Sequence, residues 1–159
     1  MRQQAALHFR GRKKQMIQFN DDLEKLGADV VGRFQEGKFR VLAELLEAGK
    51  IRIAFLESTK TKRQKTKIVY GDCQKCNEKQ KLLSGYDFAI TFYADAMMLP
   101  EEKKRILMEH ELMHIGIDRD EPKRRFIVPH DLSDFEDIVK KYGVDWTTND
   151  SAPKKEETP

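Results

Sequence analysis

Apolar positions recur along the chain in two periods, and each change of period marks an element. From Asn20 the spacing is helical: Leu23, Leu26, Val30, Val31 and Phe34 fall on one face, and Asn20 or Asp21 can cap the start. Gly27 and Gly32 weaken that helix. A second helical stretch, 39–48, ends at Gly49, where a left-handed C-cap residue belongs. Residues 51–56 alternate, with Ile51, Ile53 and Phe55 on one side, as in a strand buried on at least one face. The Lys-rich stretch 57–66 predicts an exposed loop or hairpin, 67–70 a short strand, and Gly71-Asp72 a turn. The best strand signal is Tyr86-Asp-Phe-Ala-Ile-Thr-Phe-Tyr93, with Phe88, Ile90 and Phe92 on one side.

After a connection, 94–99, helical spacing returns over residues 100–117. Ile106, Leu107, Met113 and Ile117 mark one face, and Met108, Leu112 and Ile115 line another. A helix apolar on most sides is a buried one. Pro100, Glu101 and Glu102 suit its start, and Gly116 its stop. Residues 118–125 form a charged, Pro-broken loop, followed by the short apolar piece Phe126-Ile-Val128. A last helix, capped by Asp131 or Ser133, carries Leu132, Phe135, Ile138 and Val139 on one face and ends at Gly143, with Trp146 packed nearby. This order predicts an α+β fold: a small mixed β-sheet against a central buried helix, with further helices around it.

Composition adds boundaries. The 159 residues suffice for one domain with a real core, but 36% charged against 39% hydrophobic leaves room for tails. We read 1–18 as a basic arm, 19–146 as the domain, and 147–159, rich in Asn, Asp, Ser, Pro, Lys and Glu, as a disordered tail. A net charge of +3 does not by itself call for a nucleic-acid partner. Its distribution is uneven, however. Arg2, Arg10, Arg12, Lys13 and Lys14 occupy the first twenty residues with no acid, and 60–67 reads Lys-Thr-Lys-Arg-Gln-Lys-Thr-Lys. A solvated arm and loop are the bland explanation; weak nucleic-acid contact is the sharper one. No apolar run approaches membrane-span length and the start has no signal-peptide core, so the expectation is a cytoplasmic protein without membrane contact. Cys73-x-x-Cys76 supplies half of a structural zinc site, and no second pair completes it, which favours incidental turn cysteines.

The chemistry centres on His110-Glu111-Leu112-Met113-His114, inside the buried helix. In H-E-x-x-H the two imidazoles share a helical face and can hold one Zn²⁺, while the Glu reaches a water whose pKa the metal lowers. An ordinary core helix with two hydrogen-bonded histidines is the competing explanation. Catalytic zinc needs a third protein ligand. The extended pattern H-E-x-x-H-x-x-G-x-x-H is excluded, because Ile117 and Asp120 stand where Gly and His would be. His130, beyond a reversing loop, is one candidate; Glu136 and then Asp134, from the last helix, are the others. His8 has no assigned role. Asp131 either caps the last helix or orients a ligating imidazole. Tyr142, Tyr93 and Arg125 are candidate oxyanion donors, and none stands out.

Three stretches in this order carry a resemblance. Tyr86-Asp-Phe-Ala-Ile-Thr-Phe-Tyr93, His110-Glu-Leu-Met-His114, and Pro129-His-Asp-Leu-Ser-Asp-Phe-Glu136 with Tyr142-Gly-x-x-Trp146 resemble the phage metallopeptidase family, over roughly residues 25–146. The resemblance implies a zincin-like fold from a phage or prokaryotic genome, with His130 as third ligand. The His-to-His reach is also similar to that of SprT-like proteases, which act on DNA-bound proteins.

The leading expectation is therefore a zinc metallopeptidase acting on peptide or protein substrates. His110, His114 and His130 would hold Zn²⁺, and Glu111 would be the general base. An extended substrate would lie along the 86–93 strand or a neighbour. The alternative is a DNA-associated regulatory or accessory protein with a structural metal, or a protease recruited to DNA-bound substrates.

Overall fold

The computed structural model describes residues 15–34, 36–118, 120–121, 124–130, 135–143 and 146. Strand β1 (Ile17–Phe19) leads into helices α1 (Asp21–Arg33) and α2 (Gly37–Glu47). Then come β2 (Ile53–Ser58), the strand pair β3 (Lys62–Gln64) and β4 (Lys67–Val69), and β5 (Gly71–Lys75). Helix α3 (Glu78–Ser84), strand β6 (Phe88–Phe92) and the short helix α4 (Ala94–Met97) precede α5 (Glu101–Met113). Strands β7 (Ile115–Ile117) and β8 (Arg125–Ile127) and helix α6 (Glu136–Tyr142) close the described chain. The result is a mixed α+β fold with six helices among the described residues.

The main sheet has the order β1-β2-β6-β5. Strand β2 runs parallel to β6, while β1 and β5 pair antiparallel at the two edges. Phe88, Ile90 and Phe92, the alternate residues the sequence singles out, are all fully buried in β6. Each such side chain contributes about 2–3 kcal/mol of burial. Helix α1 packs on α5, α2 and β2. Asn20 caps it by accepting from the Leu23 amide at 2.9 Å, and Leu23, Val30 and Val31 are buried as their spacing predicts. Gly27, which weakens the helix on propensity, is there for packing. A Cβ at that position would lie 2.5 Å from the Phe55 ring.

Several local expectations give way. Gly71-Asp72 is not a turn but the start of β5, because five residues pair in register with β6, from Gly71 opposite Phe92 to Lys75 opposite Phe88. Cys73 is accordingly a strand residue, opposite Ile90 in β5, and Cys76, just beyond the strand, donates its amide to the Asp87 carbonyl. Gly116 does not stop α5. The helix ends at Met113, His114 occupies the cap, and the chain passes directly into β7. Gly116 is needed there because a Cβ would strike the Phe126 ring on β8 at 2.3 Å. Strand β1 spans the boundary between the expected arm and the domain, and the 94–99 connection holds the one-turn helix α4. The arm through residue 14 and the tail from 147 lie outside the described residues, as do Asp131 and Ser133; α6 begins at Glu136 with Phe135 at its N-cap, so neither of those two caps it. No helix among the described residues is long and apolar enough to cross a membrane.

Candidate metal centre

Helix α5 is buried without a break from Ile106 to Leu112, so its central turns lie inside the molecule on every side. That places His110, 9% exposed, and Glu111, 3% exposed, in the interior, with His114 one turn further at the helix end. Chain reversal through β7 and β8 returns His130 to the same point. His110, His114 and His130 each offer a ring nitrogen, and these atoms lie within 4.8 Å of one another. The Nε2 atoms of His110 and His130 approach to 3.0 Å. Neighbouring nitrogens on a tetrahedral zinc stand roughly 3.3 Å apart, for bonds of 2.0–2.1 Å. The donor set therefore suits a divalent metal ion, and one pair of nitrogens already stands near that spacing.

The surroundings prepare these rings. His114 Nδ1 lies 2.7 Å from the Val128 carbonyl. A carbonyl only accepts, so the proton sits on Nδ1 and the lone pair on Nε2. In return the Val128 amide donates to the His114 carbonyl at 2.7 Å. Burial holds the His114 pKa down at about 4, so the ring is neutral near pH 7 and can act as a ligand. Phe135, at the entry to α6, sets its ring against all three imidazoles, with centroids 4.8 to 5.2 Å away. Glu111 Oε1 is 3.9 Å from His110 Nε2. Opposite it, a Cβ on Gly71 would come within 3.4 Å of that oxygen and 3.1 Å of the Thr91 carbonyl, so β5 leaves space for the carboxylate.

Helix α6 is tied to α5 by a group the sequence does not advertise. Glu109, 2% exposed and beside His110, accepts from Lys141 Nζ at 2.6 Å and from the Tyr142 hydroxyl at 2.8 Å. Burial first, and then the bond to Glu109, push the Tyr142 pKa up. Periodicity gave no warning of this pairing, because the partners stand 32 and 33 residues apart. Lys38 donates to the Met113 carbonyl at the end of α5, one of the carbonyls a helix leaves unsatisfied. Desolvation brings the Lys38 pKa down to about 8.

The site opens into a cleft on both sides of Glu111. One part, of about 590 Å³, lies between the β3–β4 hairpin and Leu107, His110, His130 and Trp146; the other, of about 490 Å³, extends past Cys73, His114 and Ile127. Burial, with a smaller contribution from the Glu111 carboxylate, raises the Cys73 pKa far above its ordinary value. A thiol so held is a poor nucleophile. Of the suggested oxyanion donors, Tyr142 is bound to Glu109, the Tyr93 hydroxyl donates to Asp72, and Arg125 reaches the Lys50 carbonyl at 3.2 Å. Tyr70, which the sequence reading did not single out, lines the cleft instead. Asp131 and Asp134 and the side chain of Glu136 lie outside the described residues.

The family model described as "Putative phage metallopeptidase" covers residues 14–152. No curated protein and no solved structure matches the chain.

Proposed function

The chain belongs to the "Putative phage metallopeptidase" family, and from that premise we propose that it is a zinc-dependent peptidase of the H-E-x-x-H type with a zincin-like arrangement. The ligands are His110, His114 and His130, Glu111 is the general base, and residues 19–146 form the catalytic domain between a basic arm and a tail. The observation that carries this reading is the convergence of three ring nitrogens within 4.8 Å beside a buried carboxylate. A structural zinc would be closed by four ligands, whereas the three nitrogens that converge among the described residues, at the floor of an open cleft, leave a position for water and substrate.

Zinc, when bound, supplies a Lewis acid that polarises the scissile carbonyl and makes water acidic enough to ionise near neutral pH. The protein does the rest. The Val128 carbonyl fixes the tautomer and the aim of His114, and Phe135 keeps water from one side of the imidazoles. Glu111 takes the proton of the attacking water and returns it to the leaving amine. Space left by Gly71 allows that carboxylate to stand in the cleft.

An extended substrate needs a sheet edge. Strand β6 is interior, between β2 and β5, so its neighbour β5 is the strand along which a peptide would pair. The test is hydrolysis of a denatured protein with and without chelator. Activity should vanish on chelation and return with zinc, and Glu111→Gln should be slower by about 10²–10⁴-fold while keeping its metal. A Glu111→Gln protein as fast as wild type would overturn the reading.

A further inference from the structure

We propose that the β3–β4 hairpin is the substrate-selecting wall of the cleft and favours peptide segments rich in Asp and Glu, an inference that rests on the peptidase reading and adds the charge of the substrate to it. Between Ser58 and Gly71 the chain carries Lys60, Lys62, Arg63, Lys65 and Lys67 and no acid. On sequence alone such a run is a solvated loop. In the structure it is a hairpin with a defined register, Lys62 opposite Val69, Arg63 opposite Ile68, and Gln64 opposite Lys67. Its two-residue turn, Lys65-Thr66, has Lys65 in the left-handed region at φ 57°.

The base of the hairpin is anchored. The Tyr93 amide donates to Tyr70 at 2.9 Å and the Ala94 amide to Lys60 at 3.1 Å. Lys62 Nζ donates to Asp72 at 2.9 Å and to the Tyr93 hydroxyl at 3.3 Å. A wall held this way keeps its charges at a fixed place over His110, Glu111 and His130.

The balance of charge is one-sided. Asp72 and Glu111 are the carboxylates among the described lining residues. Asp72 is already matched by Lys62, and Glu111 lies at the floor among the imidazoles. Arg63, Lys65 and Lys67 are exposed and make no ion pair among the described residues. Clefts lined by one sign of charge concentrate the opposite sign. The same charge could attract nucleic acid, but single strands are held by bases stacked on open aromatic rings. Here the lining aromatics are Tyr70, half-buried, and Trp146, 6% exposed. Ile68, Val69 and Leu107 instead give apolar side chains a place between the charges.

The experiment separates binding from cutting. Zinc-loaded Glu111→Gln protein is titrated against fluorescein-labelled peptides of alternating Glu-Leu, Ser-Leu and Lys-Leu and against oligothymidylate of the same net charge as the Glu-Leu peptide. Three exposed charge contacts should make the Glu-Leu peptide bind about tenfold tighter than Ser-Leu. High salt should remove the preference, and so should the combined substitutions Arg63→Ser, Lys65→Ser and Lys67→Ser. The single Arg63→Ser and Lys67→Ser proteins should each lose part of it, which keeps the test open if the triple variant misfolds. Equal affinities, a preference that survives the substitutions, or tighter binding of oligothymidylate would overturn the proposal. Wild-type turnover of the same peptides distinguishes the two readings. Acidic preference in binding with no peptide cut would remove the peptidase reading alone, and equal cutting of Glu-Leu and Ser-Leu would remove charge selection alone.

Discussion

Two clusters, each of a lysine, a carboxylate and a tyrosine, flank the site, and they differ in how far the carboxylate is buried. On one side Lys141, Glu109 and Tyr142 tie α6 to α5; on the other Lys62, Asp72 and Tyr93 tie the β3–β4 hairpin to β5 and the end of β6. Each lysine also lies over a ring, Lys141 above Phe34 at 4.2 Å and Lys62 above Tyr93 at 5.0 Å. The two lysines are equally open, at 36% exposure. The carboxylates are not: Glu109 is 2% exposed and Asp72 20%. A carboxylate that water reaches has an alternative partner, and one that water does not reach has none. The first cluster therefore fixes the interior beneath the imidazoles, and the second fastens a surface element. One holds the helix whose entry residue, Phe135, packs on the imidazoles, and the other holds a wall of the cleft.

Removing each lysine is the most direct way to break this comparison. Lys141→Ala leaves Glu109 buried with Tyr142 alone, and should destabilise the protein by about 3 kcal/mol in denaturant melts. It should also weaken metal binding, because Phe135 enters the site at the start of α6. Tyr142→Phe removes one charge-assisted hydrogen bond while Lys141 stays, at about 1.5 kcal/mol. That tyrosine also gives a pH signature. Its folded pKa is raised above the ordinary 10.0, so its contribution is complete below pH 10 and is lost as pH rises through the folded value. Wild type should thus lose stability relative to Tyr142→Phe in alkaline melts, and a parallel decline of the two would refute this. Lys62→Ala is the mildest change. Asp72 keeps water and Tyr93, so a loss of about 0.5–1 kcal/mol is expected. Equal losses for Lys62→Ala and Lys141→Ala would mean that burial of the carboxylate does not set the difference.

The parts of this arrangement were unequally legible in the sequence. The α+β order and the helical face of α1 follow from apolar spacing, because those residues meet the core directly. Phe88, Ile90 and Phe92 gave away β6 for the same reason. His110 and His114 come from one motif on one helix, whereas placing His130 beside them takes the reversal through β7 and β8. Strand β5 was hidden because Gly-Asp-Cys-Gln-Lys has the composition of a turn. Pairing with β6 overrides that preference, as cross-strand context commonly does. Helix α3 was missed although its signal was present. Asn77 and Gln80 form a reciprocal capping box, and no residue of the helix is buried to give a period. Nothing in the spacing singles out Glu109, and only the fold brings Lys141 and Tyr142 to it. The basic run is plain in the sequence, but its position over the site depends on contacts with Asp72 and Tyr93 that only the fold makes.

The central claim, three histidines holding one catalytic metal beside Glu111, is tested most directly by zinc content per chain in wild type, Glu111→Gln and His130→Ala. The account predicts about one zinc per chain in wild type and in Glu111→Gln, and a sharp fall in folded His130→Ala. Zinc retained in full by His130→Ala, or none bound by wild type, would contradict it.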